Sequence, residues 1–480
     1  MRSFINIAFF VVMFLTGTRT GFAQSVFPEE PLPLLTHFEL SVRIDYDSER
    51  VAGTATLTLK NISTTSLAHV PLLLNRLLRA ERVRGEGGQS LVHRQRITSF
   101  EDVGNFQINA VEVDLPARLL PDESVRLSID FNGYLVGYTE VGMLYVRDRV
   151  DREFTILRED AFAFPVVGVP SLRVNQAAPR APFNFEVSAT VPLGLVAATG
   201  GEDVGCAVHD SLVTWHYRSR EPAPYLIVTI APYHVTEAGG LRVFHFPNDS
   251  IGAQTVLQAS QRCVMRLQEI FGPLERPLGL TVMEIPDGWG SQASLAGGII
   301  QEAGAFRDRD QMRPLYHELS HLWNARDLDS PSPRWNEGLA MFLQDRLARE
   351  IDGWSGGTAA LQQTATRLLE QCGADPRCGS VPMRKYGNEH MTDWSYPVGR
   401  LMFAALNQAL RDETFDRALR RHYQAHKTSG TTTDDFVRAF VDVGGPVAQR
   451  IFDDWLESTA WVKRLRDAGS AQAMFEGYRK

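Results

Sequence analysis

Apolar and polar positions alternate with period two through much of the first half of the chain. Phe38, Leu40, Val42 and Ile44 alternate with polar neighbours, and Ala55, Leu57 and Leu59 do the same after Gly53. Phe183, Phe185, Val187, Ala189 and Val191 continue the pattern until Pro192, and a further strand is expected from Tyr225 to Ile230. Such alternation turns one side of each strand to a core and the other to water. No helical period of useful length interrupts it between about 36 and 240. The expectation is a set of antiparallel sheets packed as a sandwich.

Beyond 241 the period lengthens. Residues 253–271 predict an amphipathic helix with Val256, Leu257, Val264, Leu267 and Ile270 on one side. A strand is expected from Leu278 to Ile285. A Gly-rich stretch, Trp289 to Gly298, then leads into Ile299 and Ile300. Helical patterns fill about 357–460: Leu401, Ala405 and Leu406 share a face, and Ile451, Trp455 and Leu456 predict a last core-packing helix. Thr433-Asp434-Asp435 reads as a cap before Phe436, Val437 and Phe440. The fold class expected is therefore multidomain α+β. An N-terminal antiparallel β-sandwich domain (24–240) precedes a second domain (241–480), mixed α/β to about 350 and a helical lobe after it.

Composition changes this picture little. The 480 residues leave room for two or three domains, and 44% hydrophobic with 22% charged residues is ordinary for a globular chain. A net charge of −8 without a basic run argues against nucleic acid as a partner. The N-terminus adds more. Arg2 precedes an apolar run from Phe4 to Leu15, broken by Asn6, and Gly21 and Ala23 fit a small-x-small cleavage site. Residues 1–23 thus read as a signal peptide, too short to span a bilayer comfortably. The expected protein is exported, periplasmic or extracellular, with no membrane insertion after cleavage. Cys372 and Cys378 flank a turn-rich loop that closes as a disulfide in an oxidising compartment, or else they are buried thiols. Pairing of Cys206 with Cys263 stays open, and nothing in the sequence sets an oligomeric state.

The candidate chemistry lies in His317-Glu318-Leu319-Ser320-His321. On a helix, positions i and i+4 share a face, so both imidazoles can reach one ion while Glu318 stands beside the first as a general base. Leu315, Leu319 and Leu322 give that helix an apolar face, and Pro314 suits its first turn. Glu337 follows His321 after 15 intervening residues, inside Trp335-Asn336-Glu337-Gly338-Leu339-Ala340. Catalytic zinc takes three protein ligands and keeps a fourth position open. Two histidines and a carboxylate suit one Zn2+ ion, with His317, His321 and Glu337 as ligands. Gly297 and Gly298 either let a substrate backbone approach an exposed strand edge or form a simple turn.

The HELSH and WNEGLA segments resemble the M1 family of zinc metallopeptidases, gluzincins that include aminopeptidase N. Most of the mature chain joins in: VRIDYDSERVAGTATLTLKN is similar to the family's first hairpin, AFPVVGVPSLR and APFNFEVSATVP to its next strands, and SYPVGRLMFAALNQAL to its Y-x-x-G helix. The resemblance implies a thermolysin-like zinc catalytic domain with a helical lobe. It implies His317, His321 and Glu337 as zinc ligands and Glu318 as base. Tyr396 would donate its hydroxyl to the oxyanion. The implied activity is removal of N-terminal residues from peptide substrates. Two departures bear on the site. The His321–Glu337 spacing is shorter than the family's. The family's amine-binding glutamate, in a G-x-M-E-N strand, corresponds to Ile300 of Gly297-Gly298-Ile299-Ile300-Gln301-Glu302, which leaves Glu302 as the acidic candidate. The alternatives are a zinc endopeptidase or other hydrolase at the same metal, and a secreted binding protein with a vestigial site.

Overall fold

The computed structural model describes residues 31–178, 181–274, 279–294 and 298–479. The expected signal peptide and Gly297 lie outside them. The chain forms two compact units, Met1–Ser250 with Gly279–Ala303, and Ile251–Leu278 with Gly304–Lys480.

In the first unit the alternating segments become strands as expected. A seven-stranded sheet runs in the order Glu202–His209, Leu212–Arg218, Asn184–Pro192, Leu34–Asp45, Arg50–Lys60, Ser124–Tyr134 and Leu78–Arg84. A four-stranded sheet runs His93–Ser99, Gln107–Leu119, Leu67–Asn75 and Val166–Val167. Phe38, Leu40, Val42 and Phe185, Val187, Ala189 from the first sheet share one core with Val70, Leu72, Ile108 and Val111 from the second. That is the expected sandwich, with one difference: Leu34–Asp45 and Asn184–Pro192 pair in parallel, Leu40 opposite Val187. Alternation fixes which face is buried, not which strand lies alongside.

The same unit carries a mixed five-stranded sheet in the order His234–Ala238, Leu241–His245, Leu280–Ile285, Gly298–Glu302 and Gln292–Ser294. The sequence boundary at 240 falls in the turn of its first hairpin. Ile300 is fully buried in a second core with Met283, Ile285 and Trp289.

The second unit is mainly helical. Its principal helices are α1 (Ser250–Phe271), α2 (Arg313–Ser320), α3 (Trp335–Asp352), α4 (Gly357–Ala374), α5 (Ser395–His426) and α6 (Thr433–Phe452). Pro314 occupies the first turn of α2. The cap of α6 is Thr432, one residue before the expected stretch: its hydroxyl accepts from the Asp435 amide while the Asp435 carboxylate takes the Thr432 amide. Trp335, Phe403, Phe415, Phe436, Phe440 and Phe452 pack edge to face and stacked between α3, α5 and α6. A buried charge network joins four helices. Asp345 of α3 accepts from Arg400 Nε of α5 at 2.9 Å and from Arg313 Nη1 of α2 at 3.3 Å, while Arg400 Nη1 donates to Thr364 Oγ1 of α4 at 2.8 Å.

Cys372 and Cys378 are disulfide-bonded; Cys206 is an exposed thiol and Cys263 a buried one, so these two do not pair. Among the described residues, no helix is long and apolar enough to cross a membrane.

Candidate metal centre

The site is assembled by α2, α3 and α5. Leu315 and Leu319 are fully buried and set the inward face of α2. His317 and His321 stand one turn apart on its polar edge; His321, at the C-cap, keeps helical backbone angles (φ −64°, ψ −19°). Their rings lie 4.8 Å apart and nearly perpendicular. Glu318, buried like His317, leaves the same helix between them.

Helix α3 brings Glu337 to this pair. Glu337 Oε2 lies 3.5 Å from His317 Nε2 and 3.4 Å from His321 Nε2, and the two Nε2 atoms are 3.2 Å apart. Three donor atoms thus form a nearly equilateral triangle. Zinc with bonds of about 2.0–2.1 Å in tetrahedral geometry requires ligand–ligand separations of about 3.3–3.4 Å. The triangle matches that edge, and the donors are the nitrogen and oxygen types zinc prefers. These residues fit the ion. Nδ1 of His321 lies 2.8 Å from Asn324 Nδ2; with that amide turned over, its oxygen accepts from Nδ1–H, the tautomer that leaves Nε2 for the metal.

Why α3 and α5 converge is written in two glycines. Gly338 of WNEGLA and Gly399 of YPVG face each other. A Cβ on Gly338 would lie 2.4 Å from Gly399 Cα and 2.6 Å from the Ser395 carbonyl oxygen. Only glycine at both positions allows this approach. It sets Tyr396 beside the donors, its ring parallel to His317 (7°) at 6.2 Å between centroids. Burial, then the charge of Glu337, pushes the Tyr396 hydroxyl well above its ordinary value, so it stays protonated as a donor. Burial alone would raise the Glu337 carboxyl. Its electrostatic interactions with His321 and Arg334, and the closeness of both imidazoles, instead hold it well below the usual carboxylate range.

Arg334 was not among the residues the sequence pointed to. It precedes α3, and its Nη2 donates to Glu337 Oε1 at 2.6 Å. The available signal was an arginine three residues before a helix-start glutamate, a spacing that brings side chains together.

The remaining expected residues lie in the first unit. Gly298 is buried, and a Cβ there would lie 2.7 Å from Gly200 Cα, so the close approach that calls for glycine is to the chain's own backbone. Its strand is flanked on both sides, by Leu280–Ile285 and by Gln292–Ser294. It is therefore not the exposed edge expected; the outermost strand is Gln292–Ser294. Glu302 Oε1 accepts from the amides of Gly288 (3.1 Å) and Gly290 (2.8 Å).

By sequence, no family model matches the chain and no curated relative does. Solved structures do match. A two-domain M1 zinc metallopeptidase, a glutamate-to-alanine variant bound to L-arginine, superposes with TM-score 0.64 at 20% identity over 88% of this chain and 94% of its own. The M1 zinc metallopeptidase of Deinococcus radiodurans matches with TM-score 0.62 at 20% identity, over 89% and 94%. A variant of it bound to a Tyr-Ser-Ala substrate gives TM-score 0.62 at 19% identity, over 88% and 94%. Over nearly its whole length, the chain has the fold of the M1 zinc metallopeptidases.

Proposed function

We propose that this chain is a zinc-dependent peptidase that removes N-terminal residues from peptides and acts outside the cytoplasm. The observation that carries the reading is the donor triangle of His317, His321 and Glu337, with edges of 3.2–3.5 Å that match one tetrahedral zinc ion. The ion, when bound, supplies Lewis acidity to the scissile carbonyl and acidifies water. Glu318 takes the proton of the attacking water and delivers it to the leaving amine. Tyr396, kept neutral by its surroundings, donates its hydroxyl to the oxyanion that develops as the carbonyl carbon becomes tetrahedral. The Tyr-Ser-Ala complex of the D. radiodurans relative supports a peptide substrate. The apolar N-terminal run and the Cys372–Cys378 bond support an oxidising compartment.

One feature favours a second reading. Ile300, at the position of the family's amine-binding glutamate, is core, and Glu302 is engaged by two backbone amides. A site without an amine anchor would act as an endopeptidase. Amino-acid amides and peptides assayed beside their N-blocked counterparts separate the two. Cleavage confined to free N-termini supports the aminopeptidase, and equal cleavage of blocked peptides overturns it.

A further inference from the structure

We propose that Arg334 is a positioning residue that makes Glu337 a single-oxygen metal ligand. The inference rests on His317, His321 and Glu337 being the ligand set.

A carboxylate can offer a metal one oxygen or two. Here the two oxygens of Glu337 have different partners. Oε2 completes the triangle with the imidazoles, and Oε1 takes the Arg334 guanidinium at 2.6 Å. A charge-assisted bond of that length fixes the carboxylate plane and withholds Oε1 from the ion. Tetrahedral coordination with one open position for substrate or water needs that restraint, because a second oxygen would fill the opening.

The chain builds Arg334 into place. Its backbone is left-handed (φ 55°, ψ 38°), a conformation that a residue with a side chain holds only when its surroundings impose it. The surroundings are on hand. The Arg334 amide donates to Ser332 Oγ at 2.9 Å, and the Arg334 carbonyl accepts from the Glu337 amide at 3.1 Å. Ser395 Oγ at the start of α5 donates to the Pro333 carbonyl at 2.5 Å. Further back, the Leu328 amide donates to the Thr431 carbonyl and the Thr433 amide to Asp329 Oδ2, each at 2.9 Å. The short connection between α2 and α3 is thereby pinned to the starts of α5 and α6. The guanidinium also lies 5.9 Å from the centre of the Tyr396 ring, so one side chain braces the ligand and the hydroxyl donor together. Its side chain is 45% exposed, so the ion pair with Glu337 Oε1 and the pinned backbone, not burial, hold it there.

The test uses the full-length protein stripped of metal, with Arg334→Met (similar length, no charge, no donors) and Arg334→Lys (charge without the planar fork). Zn2+ is titrated in competition with a chromophoric chelator, and Co2+ serves as a spectroscopic substitute whose visible band weakens when coordination rises above four. Thermal unfolding of the metal-free variants confirms that each is folded. We expect Arg334→Met to bind Zn2+ about 10–100-fold more weakly, the range seen when a ligand's supporting partner is lost, with a weakened Co2+ band. Arg334→Lys should recover part of the affinity. Wild-type affinity and an unchanged Co2+ band in Arg334→Met would overturn the proposal, as would tighter binding, which would make Arg334 only a repelling charge. If the wild-type protein itself takes up no zinc, the ligand set is wrong and the proposed function falls with it.

Discussion

Gly399→Ala is the smallest change that tests how the site is held together. The new Cβ would stand 2.8 Å from Gly338 Cα, 3.5 Å from its nitrogen and 3.6 Å from its carbonyl carbon. An ordinary carbon–carbon contact is about 3.5–4.0 Å, so α3 and α5 must separate locally by about 0.7–1.2 Å. Both sides of the contact are helix backbone with no rotamer to yield, which makes overpacking of about 1–3 kcal/mol the expected cost. Glu337 adjoins Gly338, and Tyr396 lies one turn before Gly399. The separation therefore passes directly into the distance between metal ligand and hydroxyl donor. A misplacement of about 1 Å can lower turnover about 100-fold. Urea unfolding gives the stability change, and kcat on a peptide substrate gives the functional one. A variant that keeps stability within about 0.5 kcal/mol, the range of an ordinary surface change, and kcat within twofold would refute the close helix contact as the organiser of the site.

Tyr396→Phe should lower kcat about 100–1000-fold with KM nearly unchanged, the signature of a lost transition-state donor. Its ring still seats against His317, so zinc content should not change, and a loss of metal would mean a structural role instead. Ile300→Glu restores the family's acidic residue by sequence but places a carboxylate in the core beside Met283, Ile285 and Trp289. It should destabilise by about 3–5 kcal/mol, and a stable variant with a gained preference for free N-termini would show that position to be an amine site. His422, buried against Trp335 and Phe436, is pushed down to about 3 by burial and then by His426. The unfolded chain binds that proton near 6.5 and the folded one does not. Stability therefore falls as pH drops from about 6.5 towards 3, at up to about 1.4 kcal/mol per pH unit. Denaturation of His422→Phe across that range should show a shallower slope, and parallel curves would contradict the assignment.

The sequence carried the parts of this molecule that are local. Period-two alternation marked Phe38 to Ile44 and Phe183 to Val191 as strands, and the i, i+4 spacing of His317 and His321 needed only one helix to become a shared face. What it did not carry depends on partners remote along the chain. Alternation could not reveal that Leu40 lies parallel to Val187. The glycines of WNEGLA and YPVG were legible as motif letters, but their reason, contact with each other, exists only once α3 and α5 cross. Arg334 stayed hidden because its position depends on a left-handed backbone and a pinned loop that no period encodes. From the sequence, Gly298 has either a substrate-facing reason or that of a simple turn, whereas a neighbouring backbone at Gly200 explains it in the fold.

The central claim is that three side chains hold one zinc ion and that Glu318 beside them moves the proton of peptide hydrolysis. Zinc content and peptide hydrolysis, measured together on the protein and on Glu318→Gln, test it most directly. One zinc per chain is expected in both, with hydrolysis reduced by several orders of magnitude in the variant alone. Wild-type protein that carries zinc but cleaves no peptide, or a variant that cleaves as fast as wild type, would contradict it.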